Sequence, residues 1–234
     1  AERAMLLRST LLLAALAAVT SQSPLHRAVE NNDEEEVLDV ARSYNLELVS
    51  SARETPLLMA ARVGSPEVIA ALIKAGASLK AKRGSDQASP LHIASQLGRR
   101  EVMELLLKAG APLHARAQQK ATPLHFAAFA NQPGSIALLL KAGANIDATA
   151  VADTTALHWA AEHGRAQAIE MLLARGASLE AEAASGKGTA HDTCVAGGHS
   201  PKLCKQLDPR MTFEIKTPSK KRKRKKKRME KPEL

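Results

Sequence analysis

Apolar and polar segments alternate along the chain with a period close to 33 residues. Each period opens on a short apolar segment behind a hydroxyl residue, such as TPLHFAAFAN, and continues with a second apolar segment, such as LLLKAGANI, and a polar connection. The opening hydroxyl residues lie 32 to 34 positions apart, at Ser23, Thr55, Ser89, Thr122, Thr155 and, in a degenerate copy, Thr189. Self-similarity at such a period is the signature of a stacked-repeat architecture.

Both apolar segments of each period predict helices. The opening Ser or Thr can accept a hydrogen bond from a free backbone N–H, and the proline that usually follows suits the first helical position. A glycine nine residues after the hydroxyl, such as Gly64, predicts the end of the first helix. Asn32 and Asn131 take this place in the first and fourth copies, because asparagine also tolerates the left-handed conformation. The second helix is expected over about 66–74 and at equivalent positions elsewhere.

One helix pair cannot bury its apolar face alone, so the pairs must stack. The recurring Thr-Pro-Leu-His-x-Ala segment on this period resembles the ankyrin repeat, and the resemblance extends over about residues 23–207. It implies an all-α ankyrin-repeat solenoid of stacked helix-turn-helix pairs with connecting hairpin loops. Residues 22–207 would form this domain, with five clear repeats and a sixth that caps the C-terminal end. Almost no β-sheet is expected.

The connecting loops depart from the pattern that the resemblance implies. The family's Asp-x-x-Gly hairpin turn is absent, and the corresponding stretches are KRGSDQA, RAQQKA, TAVADT and EAASGKG. Loose turns are therefore expected at these loops. Leu58 also replaces the family's histidine in the second repeat.

The resemblance implies that the protein binds another protein on the concave face that the first helices and the loops form. In the family, the two residues before the glycine that ends the first helix point toward this face. The corresponding residues here are Arg62, Val63, Gln96, Leu97, Phe129, Ala130, Glu162 and His163. We expect Phe129 to be the main contact, because aromatic anchors dominate binding hot spots. The alternative is that its ring fills a gap beside a second helix weakened by Gly134 and Ser135.

Composition narrows the chemistry of the chain. Apolar residues make up 45% and aromatic residues only 2%, so the core must consist of Leu, Ala, Val and Ile. The stretch ASGKGT is not a phosphate-binding loop, because position 181 is alanine and Lys187 is followed by glycine. No nucleophile–base pair stands out either. We therefore expect a monomer that is not an enzyme and needs no cofactor.

Histidine and cysteine positions raise the question of a metal site. The resemblance implies that the recurring histidines at 26, 92, 125 and 158 are structural and form hydrogen bonds between repeats. His191, Cys194, His199 and Cys204 have the spacing of a zinc knuckle with its first cysteine replaced. The favoured interpretation is a capping repeat in which Cys194 packs as a small apolar residue. A zinc site and a Cys194–Cys204 disulfide in an oxidising compartment are the alternatives.

The net charge of +9 comes from one segment. Nine of the 33 basic residues are consecutive, and the remaining 24 equal the 24 acidic residues. The run comprises Lys220, Lys221, Arg222, Lys223, Arg224, Lys225, Lys226, Lys227 and Arg228. Nine adjacent like charges repel, so a disordered basic tail is expected over 208–234. A nuclear-import signal, a tether to nucleic acid or an anionic surface, and an inert tail are the three interpretations. The second one gives the alternative function, a nucleic-acid-associated nuclear regulator.

The N-terminal residues favour a different location. Arg8 precedes nine uninterrupted apolar residues, Leu11–Val19, and a Val-Thr-Ser site follows. This arrangement is typical of a secretory signal peptide and too short for a membrane span. Residues 1–21 are therefore a candidate signal peptide, with an N-terminal capping helix as the alternative. The final KPEL resembles an endoplasmic-reticulum retrieval signal. We expect the secretory pathway or the lumen of the endoplasmic reticulum, with the nucleus as the alternative.

Overall fold

The computed structural model describes residues 23–184 and 186–210, and these contain six consecutive helix pairs. The twelve α-helices of the described ranges are α1 (Pro24–Asn31), α2 (Glu34–Ala41), α3 (Pro56–Val63), α4 (Pro66–Ala75), α5 (Pro90–Leu97), α6 (Arg100–Lys108), α7 (Pro123–Phe129), α8 (Pro133–Lys141), α9 (Ala156–Glu162), α10 (Ala166–Ala174), α11 (Ala190–Ala196) and α12 (Pro201–Lys205). Two short 3-10 helices, Gln118–Lys120 and Val151–Asp153, lie in loops. Within the same ranges, β pairing is confined to an isolated bridge between Ala183 and Gly188. The predicted all-α solenoid is confirmed.

The helices form two layers around one continuous core. Each first helix packs against the first helices of the neighbouring repeats, and the second helices form the other layer. Buried alanines on the first helices, such as Ala127 and Ala128, let these helices approach closely, while Ile136 and Leu139 of α8 fill the space between the layers. The core therefore consists of the small and aliphatic residues that the composition predicted.

The predicted helix ends are confirmed. The Thr55 side chain accepts from the backbone N–H of Leu58 at the start of α3, and Gly64 ends that helix with a φ of 89°. Asn32 and Asn131 take the same left-handed conformation, with φ values of 58° and 56°. The asparagine substitutions thus keep the helix register.

The recurring histidines join successive repeats. The Ser89 backbone N–H donates to Nδ1 of His92, and Nε2 of His92 donates to the Ala121 carbonyl 3.1 Å away in the next repeat. His125 makes the equivalent bond to the Thr154 carbonyl at 3.2 Å. Nδ1 accepts and Nε2 donates in both rings, so this geometry requires neutral imidazoles. These two rings are buried structural links, as the resemblance implied.

The expectation of loose turns is wrong for the first three of the four stretches, in which the N–H groups of Arg83, Ala117 and Ala150 each close a hydrogen-bonded turn. The Ala150 N–H donates to the Thr154 carbonyl over 2.7 Å and closes the turn. Ala152 and Asp153 lie within it in the left-handed region, with φ values of 57° and 53°. The Ala184 N–H donates to the Ala152 carbonyl in the neighbouring loop over 2.9 Å. Hydrogen bonds within and between loops thus hold a conformation that would otherwise favour glycine.

Two predicted segments lie outside the described residues. The candidate signal peptide falls within residues 1–22 and the basic run within residues 211–234. Among the described helices, none has the length and apolar character needed to cross a membrane.

Candidate protein-binding cleft

The eight residues predicted for the concave face lie at the ends of α3, α5, α7 and α9 or directly after them. Phe129, Glu162 and His163 line one cleft, and the other five do not. Arg62 instead pairs with the buried carboxylate of Glu54 at 3.3 Å, while Leu97 is 42% exposed elsewhere on the surface. The structure thus brings together only the predicted residues of the fourth and fifth repeats.

This cleft, which we call the aromatic cleft, has a volume of about 420 Å³. Its walls are the ends of α7 and α9, the turn between the fourth and fifth repeats, and the loop before α11. The lining residues are Gln119, Phe129, Val151, Ala152, Thr154, Trp159, Glu162, His163 and Lys187. Four of these residues are apolar or aromatic and five are polar, and such a mixture of apolar and polar contacts is common at protein interfaces.

Three rings meet edge to face in the aromatic cleft. The Phe129 ring lies 4.6 Å from His163 and 6.3 Å from Trp159, with interplanar angles of 72° and 76°. The Trp159 indole N–H donates to the Thr154 hydroxyl over 3.1 Å, which fixes the orientation of the indole. The Arg165 guanidinium lies 5.9 Å from the centre of the Phe129 ring, and its Nε donates to the Phe129 carbonyl over 2.8 Å. The fifth repeat therefore preorganises Phe129.

The alternative role of Phe129 as a gap filler is not supported. Helix α8 forms despite its weak sequence, and Ile136 and Leu139 are completely buried. Phe126, one turn before Phe129, packs against the core, with its ring 5.0 Å from His92. Phe129, in contrast, does not pack against the core that the described residues form. Its ring faces the fifth repeat, not the second helix of its own repeat.

The last repeat supplies the charged side of the cleft. Lys187 Nζ, in the loop before α11, lies 3.0 and 3.2 Å from the two carboxylate oxygens of Glu162. Nε2 of His199 donates to the Glu162 backbone carbonyl over 2.8 Å. A Cβ at Gly164 would lie 2.6 Å from the His199 ring, so a larger residue there would displace this ring. Side chains of the last repeat thus hold the end of α9 at two points.

A family model for ankyrin repeats, in three copies, matches residues 25–117 and 112–183, which is more than half of the chain. The chain belongs to the ankyrin-repeat family. Ankyrin repeats generally mediate protein–protein interactions and are typically not enzymes. A search of curated proteins gave no match to the chain.

Six of the nine residues that line the aromatic cleft were not predicted from the sequence: Gln119, Val151, Ala152, Thr154, Trp159 and Lys187. Trp159 is the only tryptophan of the chain, yet in the ankyrin register it occupies the place of Ile93 and Phe126, which contribute to the core. Val151, 49% exposed, and Lys187 lie on loops for which loose turns were expected. The signal available in the sequence was a single tryptophan in the repeat after Phe129, at the position of Phe126.

The four residues with zinc-knuckle spacing do not converge. Cys194 of α11 and Cys204 of α12 form a disulfide, with their Cα atoms 5.5 Å apart. His199 binds the Glu162 carbonyl, and Nδ1 of His191 lies 3.6 Å from an Asp192 oxygen. Within the described ranges, no group of three or more His, Cys, Asp or Glu residues is placed to hold a metal ion. Residues 189–205 do form a final helix pair, but the expectation of separate cysteines is wrong, because the disulfide links its helices.

Proposed function

We propose that this ankyrin-repeat chain is an adaptor or scaffold, without enzymatic activity of its own, that binds another protein through the aromatic cleft. The observation that carries the proposal is the position of Phe129, which is held edge to face against Trp159 and His163 without packing against the core. Its ring is half-buried and borders open space. Aromatic side chains fixed in advance bind at a low entropic cost and dominate interface energies.

The lining of the cleft favours one kind of partner segment. Phe129, Trp159 and the exposed Val151 offer apolar contact to one large aromatic or aliphatic side chain. Glu162 and Lys187, with side chains 42% and 44% exposed, offer polar contact at the rim. We expect the partner to place an apolar anchor in the cleft and polar groups on this ion pair, the usual anatomy of a protein interface.

A displayed random peptide library can supply a ligand for the test. Peptides selected on the whole chain are titrated against it, with the emission of the single Trp159 as the signal. We expect Phe129→Ala to weaken the affinity by about 1–3 kcal/mol, the range for a truncated hot-spot aromatic. Unfolding free energy should change much less, because Phe129 does not pack against the core.

Phe126→Ala is the matched control, because it removes the same ring one turn earlier on the same helix. Phe126 packs against the core, so this variant should lower the stability and leave the affinity of the folded protein unchanged. The proposal fails if the selected peptides bind the Phe129→Ala variant as tightly as the original chain. It also fails if Phe129→Ala costs several kcal/mol of stability with affinity intact.

We further propose that the chain works in the secretory pathway. Disulfides persist mainly in oxidising compartments, and the Cys194–Cys204 bond supports such a location. The signal-peptide pattern of residues 1–21 favours the same location independently. N-terminal sequencing of the protein from its native cell should give a start near Gln22. An intact Met5-Leu6-Leu7 start together with nuclear fluorescence would contradict the location.

The run Lys220–Arg228 carries a second candidate function, the binding of nucleic acid. Its nine consecutive cations suit phosphate backbones, and their sequence contains no aromatic ring for base stacking. Such binding would be insensitive to base sequence and steeply dependent on salt. Binding of single-stranded oligonucleotides should then disappear when residues 220–228 are deleted. Equal binding by the shortened chain would exclude this role for the run.

A further inference from the structure

The second helix of the last repeat packs less extensively than its counterparts. Helix α12 has five residues, whereas α6, α8 and α10 have nine each. Counted from the helix N-caps, Leu207 corresponds to the buried Leu106, Leu139 and Leu172 and is itself completely buried. Leu203, however, takes the place of the buried Val102, Ser135 and Ala168 and is only half-buried. Helix α12 packs chiefly against α11, whereas α4, α6, α8 and α10 each also pack against the preceding second helix.

The disulfide adds a covalent link to the limited packing of α12. Cys194 is completely buried and Cys204 is 3% exposed, so the bond lies inside the last helix pair. Beside it, Leu207 is buried and Leu203 half-buried. Because α12 is short and packs chiefly against α11, the covalent bond is a strong constraint on its position against α11.

The same repeat holds the aromatic cleft together. Lys187 contacts the Glu162 carboxylate, and His199 donates to the Glu162 backbone carbonyl. In a third contact, Nε2 of His158 donates to the Gly188 carbonyl over 3.2 Å. Trp159 lies on α9 between His158 and Glu162, within the segment that these contacts fix. Loss of the last repeat would therefore free the cleft wall that carries the indole.

We propose that the Cys194–Cys204 disulfide is a redox switch for the aromatic cleft. In the oxidised chain the cleft stays assembled. Reduction by a dithiol releases the last repeat and thereby opens the cleft. This inference rests on the proposed function, because the switch regulates binding only if the aromatic cleft binds a partner. It links the cleft to the compartment, since the same chain has an assembled binding site in an oxidising compartment and a loosened one in a reducing compartment.

The chemistry is a thiol–disulfide exchange. A thiolate of the dithiol attacks one cysteine sulfur, the S–S bond breaks, and the other cysteine leaves as a thiolate that takes up a proton. The second thiol of the reductant then closes its own disulfide, and the second cysteine is released as a thiol. Both sulfurs are buried, so the exchange requires α12 to open first. The rate of switching is therefore set by local opening of the last repeat.

The test compares the full chain before and after treatment with dithiothreitol, a dithiol, without any partner. Amide hydrogen exchange in α11 and α12 should accelerate roughly 100-fold on reduction, the change expected when a closed loop of about ten residues is released. Trp159 emission should shift to the red, and acrylamide should quench it more strongly, because the wall of the cleft loosens. Exchange in α5 and α6 should stay unchanged.

The Cys194→Ala/Cys204→Ser double variant is the matched control. Alanine occupies the position of Cys194 in the fifth repeat, at Ala160, so it fits the buried site. The variant should resemble the reduced chain in both readouts and should not respond to dithiothreitol. If reduction accelerates exchange in α11 and α12 while Trp159 emission and quenching stay constant, the disulfide only stabilises the cap and the switch is refuted. Unchanged exchange refutes it as well.

These readouts separate the switch from the binding function. If Phe129→Ala leaves peptide affinity intact, the proposed function fails, whatever reduction does to Trp159. If Phe129→Ala abolishes peptide binding but reduction changes neither Trp159 nor the affinity, the switch alone fails. If both hold, reduction should weaken binding of the selected peptides to the original chain and leave their weaker binding to the double variant unchanged.

Discussion

Repeats three to five, the central repeats formed by α5–α10, and the last repeat, formed by α11 and α12, are held by different interactions. In the central repeats, buried leucines join the second helices, and His92 and His125 link each repeat to the next. The last repeat has Asp192 in place of the histidine, and its carboxylate accepts from the Thr189 N–H over 2.8 Å. A disulfide joins its helices. One region thus depends on neutral buried imidazoles and the other on an oxidised cysteine pair.

The largest expected effect that separates the two regions comes from acid. Burial lowers the pKa of His92 and His125 to about 4 from the ordinary 6.5, so both rings are neutral in the folded chain above that pH. As the pH falls, these two histidines become protonated in the unfolded chain before they do so in the folded chain. The free energy of unfolding therefore falls as the pH drops from 6.5 toward 4. Each histidine should lower the free energy of unfolding by about 3 kcal/mol over this pH range.

Urea unfolding at pH 7 and at pH 4, with residue-resolved amide exchange, measures this loss. The central repeats should lose about 6 kcal/mol from the two histidines together. Helix α11 should lose less in this window, because the Thr189 backbone and side chain lower the pKa of Asp192 below its ordinary 3.8. It is joined to the fifth repeat by one such histidine, His158, whose pKa burial also lowers and whose Nε2 donates to the Gly188 carbonyl before α11. Equal sensitivity of both regions between pH 6.5 and 4.5 would contradict the comparison.

Core truncation should give the next largest difference. Leu106 is completely buried in α6, and Leu106→Ala should lower the free energy of unfolding by about 2–5 kcal/mol. Leu203, half-buried in α12, has lost less contact with water, so Leu203→Ala should cost less than about 1.5 kcal/mol. Thermal and urea unfolding of both variants, with the disulfide intact, measure the two values. Equal costs would mean that apolar packing supports α12 as well as it supports α6.

Two buried hydroxyls give the smallest predicted difference. Ser135 Oγ in α8 is buried and has no hydrogen-bond partner among the described residues. Thr193 Oγ1 in α11 donates to the Ala190 carbonyl over 2.9 Å. Ser135→Ala should therefore stabilise the chain by about 1 kcal/mol, and Thr193→Val should destabilise it by a similar amount. Urea midpoints measure both changes, and a loss of stability in Ser135→Ala would point to an unseen partner for its hydroxyl.

The sequence predicted the solenoid well because each repeat encodes its own helix ends. Thr55 and Gly64 mark a helix by their own backbone preferences, without help from distant residues. The aromatic cleft was harder to predict, since Trp159 and Lys187 approach Phe129 and Glu162 only through the stacking of repeats. The turn at Ala152 was also missed, because a hydrogen bond from a neighbouring loop stabilises its left-handed backbone. The disulfide was one of three alternatives that spacing alone could not separate.

A footprint of bound peptide shows whether the chain binds protein through the aromatic cleft. Amide exchange of the oxidised chain is measured with and without a peptide selected on it. Peptide bound in the aromatic cleft should slow exchange at the end of α9, around Trp159 and His163, and in the turn around Val151. Protection confined to the second helices α6, α8 and α10, with exchange around Trp159 unchanged, would place the binding site on the opposite layer and contradict the account.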